Sequence, residues 1–192
     1  MNIIILDFET SGLNPYYDDI IEIGAKIYQE NIEFNSLIKP KSNKAISEKI
    51  RTITGITNKM LLEDGLKWDI GYNLFIAWLH DNYSDTKENV IISHNGENFD
   101  FILLRRLMKD MNYNIRKFTY IDTLGLSKRL IPGRYSYAQG ALCKTYNITN
   151  TDEHRAIGDC MALEQLVEIL KKLLEIKKLE FKDSYDYYHY HI

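Results

Sequence analysis

Ile3, Ile4, Ile5 and Leu6 form an unbroken apolar run that leads directly into two carboxylates, Asp7 and Glu9. A run with no polar alternation reads as a buried strand, here over residues 2–6. Residues two apart on a strand share a side. Asp7 and Glu9 would then sit side by side at the end of a buried strand. Like charges that close repel, and burial adds a desolvation cost. A divalent cation between them offsets both, and hard oxygen ligands of this kind suit magnesium or manganese. Taken alone, the pair also reads as the start of a solvated loop.

The later pattern surrounds that strand with others. Residues 20–28 and 32–38 read as two strands joined by the turn Gln29-Glu30-Asn31, and 90–93 and 118–121 as two short ones. Helical pieces are expected over 47–53 and 58–62 around a turn at Gly55. Longer helices are expected over 69–80 (Ile70, Leu74 and Trp78 as its stripe), 101–111, 135–146 and 157–176. The last carries Cys160, Leu163, Val167, Leu170 and Leu174 as its apolar stripe. Three early strands, then strands alternating with helices, predict an α/β fold: a mixed sheet with helices on its faces.

Length and composition set the class. The 192 residues, 45% of them hydrophobic, suffice for one compact domain with a sizeable core. No apolar run reaches the ~18 residues of a membrane span, and the start lacks the basic segment of a signal peptide. The two cysteines, Cys143 and Cys160, form no CxxC pair and read as reduced thiols of an intracellular protein. A net charge of −3 argues against a binder that lives on phosphate contacts, but not against an enzyme that holds its substrate through metals.

Two further acidic positions stand out. Asp100 closes the string Ser-His-Asn-Gly-Glu-Asn-Phe-Asp and opens the helix after it. Alone it reads first as a helix N-cap. His154 precedes Asp159 by five residues at the start of the last helix, where an acidic residue also complements the helix dipole.

The conjunction says more than its parts. Leu-Asp-Phe-Glu-Thr-Ser-Gly-Leu at 6–13, His-Asn-Gly-Glu-Asn-Phe-Asp at 94–100 and His-Arg-Ala-Ile-Gly-Asp at 154–159 occur in the order of the three DEDD exonuclease motifs. Over roughly residues 2–172 the chain resembles the histidine subtype of that family, which includes the proofreading epsilon subunit of bacterial DNA polymerase III. Thr-Gly-Ile-Thr at 54–57 and Asp122-Thr123-Leu124 agree with it.

The resemblance implies a ribonuclease H-like five-stranded mixed sheet and 3′→5′ exonuclease activity, releasing 5′-mononucleotides. It implies two ions (Mg2+ or Mn2+) held by Asp7, Glu9, Asp100 and Asp159, with His154 as the general base. Thr10, Gly12 and Leu13 would hold the terminal nucleotide, with Asn95 and Phe99 as further cleft residues. Leu13 and Phe99 also read as core packing.

The implied substrate is a single-stranded or frayed DNA 3′ end, with a DNA polymerase as a possible partner. RNA is the alternative substrate. A non-catalytic subunit that docks a polymerase or a nucleic-acid end is the alternative of another class. Lys128, Arg129, Arg134 and Lys144 could line a phosphate path, and Arg105 and Arg106 read as exposed. The nuclease domain is expected over 1–180, followed by an aromatic, polar tail over 181–192 that carries His189 and His191 without completing ligands.

Overall fold

The structure, a computed structural model, describes residues 1–114, 116–150 and 152–179. The tail over 181–192, with His189 and His191, lies outside them. The five strands are β1 (Asn2–Thr10), β2 (Ile20–Ile27), β3 (Glu33–Leu37), β4 (Asn89–Ser93) and β5 (Thr119–Asp122). They form one sheet in the order β3-β2-β1-β4-β5. β1 and β2, and β2 and β3, pair antiparallel, whereas β4 runs parallel to both β1 and β5. This is the expected mixed five-stranded sheet, with β1 at its centre.

The expected strand over 2–6 continues through both carboxylates to Thr10, with a register shift between Glu9 and Thr10. Alternation along it feeds two cores. Ile4, Leu6 and Phe8 join Phe75, Leu103, Leu104 and Leu107 from the helices α3 (Trp68–Asp81) and α4 (Asp100–Asp110). Ile3 and Ile5 join a second core with α5 (Thr123–Leu130), α6 (Gln139–Tyr146) and α7 (Ala156–Ile176). Asp7 and Glu9 continue the Ile3–Ile5 side, and so share the face that α7 covers. The α7 stripe of Cys160, Leu163, Val167, Leu170 and Leu174 is buried as its periodicity predicts.

Two short helices, α1 (Glu48–Thr54) and α2 (Asn58–Glu63), flank Gly55, whose φ of +68° suits the left-handed turn between them. Ser47 and Thr57 cap them, each accepting from the backbone N–H three residues on.

Three expectations need correction. The inward stripe of α3 is Tyr72, Phe75, Ile76 and Leu79; Ile70 and Leu74 are exposed. Both sets have helical spacing, and aromatic packing of Phe75 against Phe8 and Phe34 selects the first. α5 was not expected from the sequence. Its weak helix formers, Thr123 and Gly125, are offset by Asp122, whose side chain accepts from the Leu124 amide at 2.8 Å. The helix expected over 135–146 begins only at Gln139. Both cysteines are free and buried, as expected. No described helix is long and apolar enough to cross a membrane.

Candidate active site

Three elements deliver the acidic residues to one place. β1 carries Asp7 and Glu9, the first residue of α4 is Asp100, and the first turn of α7 holds Asp159. Asp100 is 3% exposed and is not a capping residue. Its Oδ1 accepts the Phe8 amide at 3.0 Å, which ties α4 to the strand between the two β1 carboxylates. His154 stands on the turn before α7, and its backbone N–H donates to Asp159 Oδ2 at 3.0 Å. Glu9, His154 and Asp159 each offer one ligand atom, all within 4.8 Å of one another.

The electrostatics are those of crowded carboxylates. Burial, and then the charges of Asp100, Glu9 and Asp159, raise the Asp7 pKa well above the ordinary range. Burial with Asp159, Glu22 and Asp100 raises Glu9 to about 8, against an opposing pull from Arg155. Asp100 rises to about 7 through burial, against the Phe8 amide. Asp159 is raised by burial, against hydrogen bonds from His154 and Asn150. Arg155 is the cation whose field reaches Glu9, and its guanidinium is engaged by Glu22. Hard oxygen donors and one imidazole, held together at this cost, fit divalent cations of the magnesium or manganese type.

Several residues that shape the site were not singled out from the sequence. Asn150 Nδ2 donates to Asp159 Oδ1 at 2.7 Å, and Gln139 Nε2 donates to the Asp159 carbonyl at 2.9 Å. Glu22 is fully buried opposite Glu9 in the β1–β2 ladder and is gripped by Arg155. Asp122 accepts the Asn95 amide at 2.8 Å, holding that residue at a φ of +64°. His94 is bound on both ring nitrogens, by Thr123 Oγ1 and the Tyr137 carbonyl. Burial lowers its pKa. Buried polar pairings of this kind have no period in sequence; only the Asp122-Thr123-Leu124 string was a signal.

The other expected site residues are placed as follows. The Thr10 hydroxyl donates to the Gly12 carbonyl at 2.6 Å and so folds the loop after β1. A side chain at Gly12 would press on the Asp18 carboxylate, 2.3 Å from a Cβ. Leu13 is 62% exposed on that loop, which excludes its core reading. Phe99 is half-buried against the core that contains Phe101, in keeping with packing. Arg106, expected to be exposed, is half-buried and braces the same loop through the carbonyls of Pro15 and Asp18. Of the basic cluster, Arg134 is bound to Thr145, while Lys128, Arg129 and Lys144 lie at the surface.

Comparison with known proteins bears on the family and the fold. The exonuclease family model RNase_T matches residues 4–167. DNA polymerase III PolC-type of Thermotoga maritima is 38% identical over 96% of this chain and 13% of its own length. The PolC-type polymerase of Bacillus cereus is 32% identical over 94% of this chain and 12% of its own. The chain thus spans only a small part of these relatives.

Among solved structures, E. coli Exonuclease I in complex with a dT13 oligonucleotide superposes with a TM-score of 0.76 at 17% identity, over 92% of this chain and 42% of that one. Exonuclease X in complex with 5′ overhanging duplex DNA gives 0.63 at 22% identity, over 96% and 98%. Identities this low speak to the fold alone. The family match takes in all five strands, the acidic cluster and most of α7, and on that ground the chain belongs to the exonuclease family, as a DEDD-type member with the ribonuclease H-like fold.

Proposed function

We propose that this exonuclease domain removes nucleotides one at a time from the 3′ end of DNA, using two divalent cations held by Asp7, Glu9, Asp100 and Asp159. The observation that carries this reading is the meeting of Glu9, Asp159 and His154 within 4.8 Å, beside Asp7 and the buried Asp100. Bound cations of this type would supply charge neutralisation and water activation for phosphodiester hydrolysis. Asp7, which lies in the field of Asp100, Glu9 and Asp159, would hold a cation together with them. Asp100, fixed by the Phe8 amide, supports the second position.

His154 is exposed and borders the acidic group, so its imidazole takes the proton from the attacking water and passes it to solvent. Glu9 and the loop of Thr10, Gly12 and Leu13 receive the terminal nucleotide. The exposure of Leu13 supports a role in packing on a base. Asn95 is the further residue proposed to meet the substrate, while Phe99 packs on the core.

DNA is favoured because the relatives are DNA polymerases and solved structures of the same fold hold DNA oligonucleotides. The same relatives support a polymerase as the working partner, with this domain as its editing module. A DNA oligonucleotide labelled at its 5′ end, digested with Mg2+ or Mn2+, tests the reading. A descending ladder, a block by a 3′-phosphate and silence in EDTA are expected. Immediate release of the labelled nucleotide, cleavage of a circular strand, or full activity in EDTA would overturn it. A matched RNA strand in parallel reports the sugar preference.

A further inference from the structure

His154 has a φ of +66°, a left-handed backbone that is uncommon for a residue with a side chain and that its surroundings here help to hold. Part of that constraint is local. The His154 amide donates to Asp159 and the Arg155 amide to the Asp152 carbonyl, both at 3.0 Å. The rest comes from the far side of the sheet's central ladder. Glu22 of β2 is fully buried, and its carboxylate accepts Arg155 Nε at 3.1 Å and Arg155 Nη2 at 2.6 Å. It also accepts the Ala156 amide at 3.0 Å. One carboxylate thus holds the residue after His154 and the first residue of α7.

An apolar contact would anchor a helix end at least as well, because taking two charges out of water costs much of what their attraction returns. Placing Glu22 opposite Glu9 also adds negative charge to a site already crowded with it. What a planar, two-pronged grip supplies and an apolar contact does not is orientation.

We propose that the Glu22–Arg155 pair is a positioning device for His154, which locks the turn so that the imidazole faces Glu9 and Asp159. This rests on the reading of His154 as the base. The pair touches neither substrate nor cation and acts through its neighbour. Loss of the grip lets the turn relax toward ordinary backbone angles and swings the imidazole away, while Asp7, Glu9 and Asp100 stay on their own elements and Asp159 keeps its bond from Asn150.

A mutant cycle tests this. Arg155→Lys keeps the charge and loses the two-pronged fork. It is expected to lower kcat tenfold or more, with KM for DNA within about twofold. His154→Ala is expected to lower kcat by about 10²–10⁴. Adding Arg155→Lys to His154→Ala should change kcat less than twofold, because nothing is left to position. In the metal-free protein, the imidazole cross-peak that His154→Ala removes should shift or broaden in Arg155→Lys, with that of His94 unmoved.

Losses that multiply in the double variant, an unmoved cross-peak, or an Arg155→Lys protein of wild-type kcat would overturn the proposal. A His154→Ala protein of wild-type kcat would overturn the reading of the base, and the proposal with it. A crippled His154→Ala with a multiplicative cycle would overturn the positioning alone. Should Arg155→Lys fail to fold, Glu22→Gln, which keeps the size and one acceptor oxygen, carries the same cycle.

Discussion

Gly24 lies directly across from Asp7 in the β1–β2 ladder, and the backbone of Ala156 fills the space that a side chain at Gly24 would take. A Cβ there would stand 2.4 Å from the Ala156 carbonyl carbon. The missing side chain is therefore what lets the start of α7 close on β2, beside the strand that carries Asp7. Asp159 rides on that first turn, so the approach of the helix sets the approach of the carboxylates.

Gly24→Ala should for this reason damage stability and activity together. Overpacking against rigid backbone costs about 1–3 kcal/mol. In a domain of this size that is a fall in Tm of roughly 2–4 °C per kcal/mol. Nuclease activity should fall further than stability alone explains, because α7 must move outward. Thermal unfolding and single-turnover cleavage read the two effects, and a variant normal in both would contradict the close approach.

Asp7→Ala or Asp159→Ala should remove nearly all turnover while the fold persists. A residual rate above about a tenth of wild type, a loss under ~1.4 kcal/mol of transition-state stabilisation, would rule out the assigned role. In EDTA these variants should melt no lower than wild type, since each removes a buried carboxyl that is costly to ionise beside the others. Melting curves with and without Mn2+ check this.

Raised carboxylate pKa values make the metal-free protein weaken as pH rises. An unfolded carboxylate titrates near about 4, whereas Asp100 and Glu9 titrate at about 7 and about 8 in the fold, and Asp7 and Asp159 are shifted the same way. Between those limits the folded state holds protons that the unfolded chain has released. Their contribution is complete below about pH 4 and is lost as pH passes through the folded values. In EDTA, Tm should fall from pH 5 to pH 8.5. Millimolar Mn2+ should flatten or reverse the slope, because cations bind the deprotonated groups. A Tm that rises with pH in EDTA would be the wrong sign.

Asn150→Ala should loosen cation binding with little effect on the fold. Asn150 holds Asp159 Oδ1 at 2.7 Å, and outer partners of this kind are worth about 10–100-fold in metal affinity. Calorimetric titration of Mn2+ into the DNA-free protein measures it, and an unchanged affinity would show that Gln139 and the His154 amide suffice.

How much of this was open to sequence reading depended on the range of the interaction. The strand pleat alone puts Asp7 and Glu9 on one side, and the apolar periodicity that follows Asp100 and Asp159 puts both at helix starts; each is a matter of local spacing. The stripe of α7 was readable because its apolar residues keep a single helical face. In α3 two sets of apolar residues share that spacing, and packing against Phe8 and Phe34 decided which faced inward.

The sequence by itself determined the mixed sheet and, through its resemblance to the family, pointed to the acidic residues and the histidine proposed here as ligands and base. Only the tertiary structure decided that Gly24 faces Asp7, that Glu22 faces Glu9 and grips Arg155, and that Asn150 orients Asp159. The physical reason is that a buried polar group takes whatever partner the meeting surfaces bring it. Glu22 and Arg155 are 133 residues apart, a separation over which no periodicity carries.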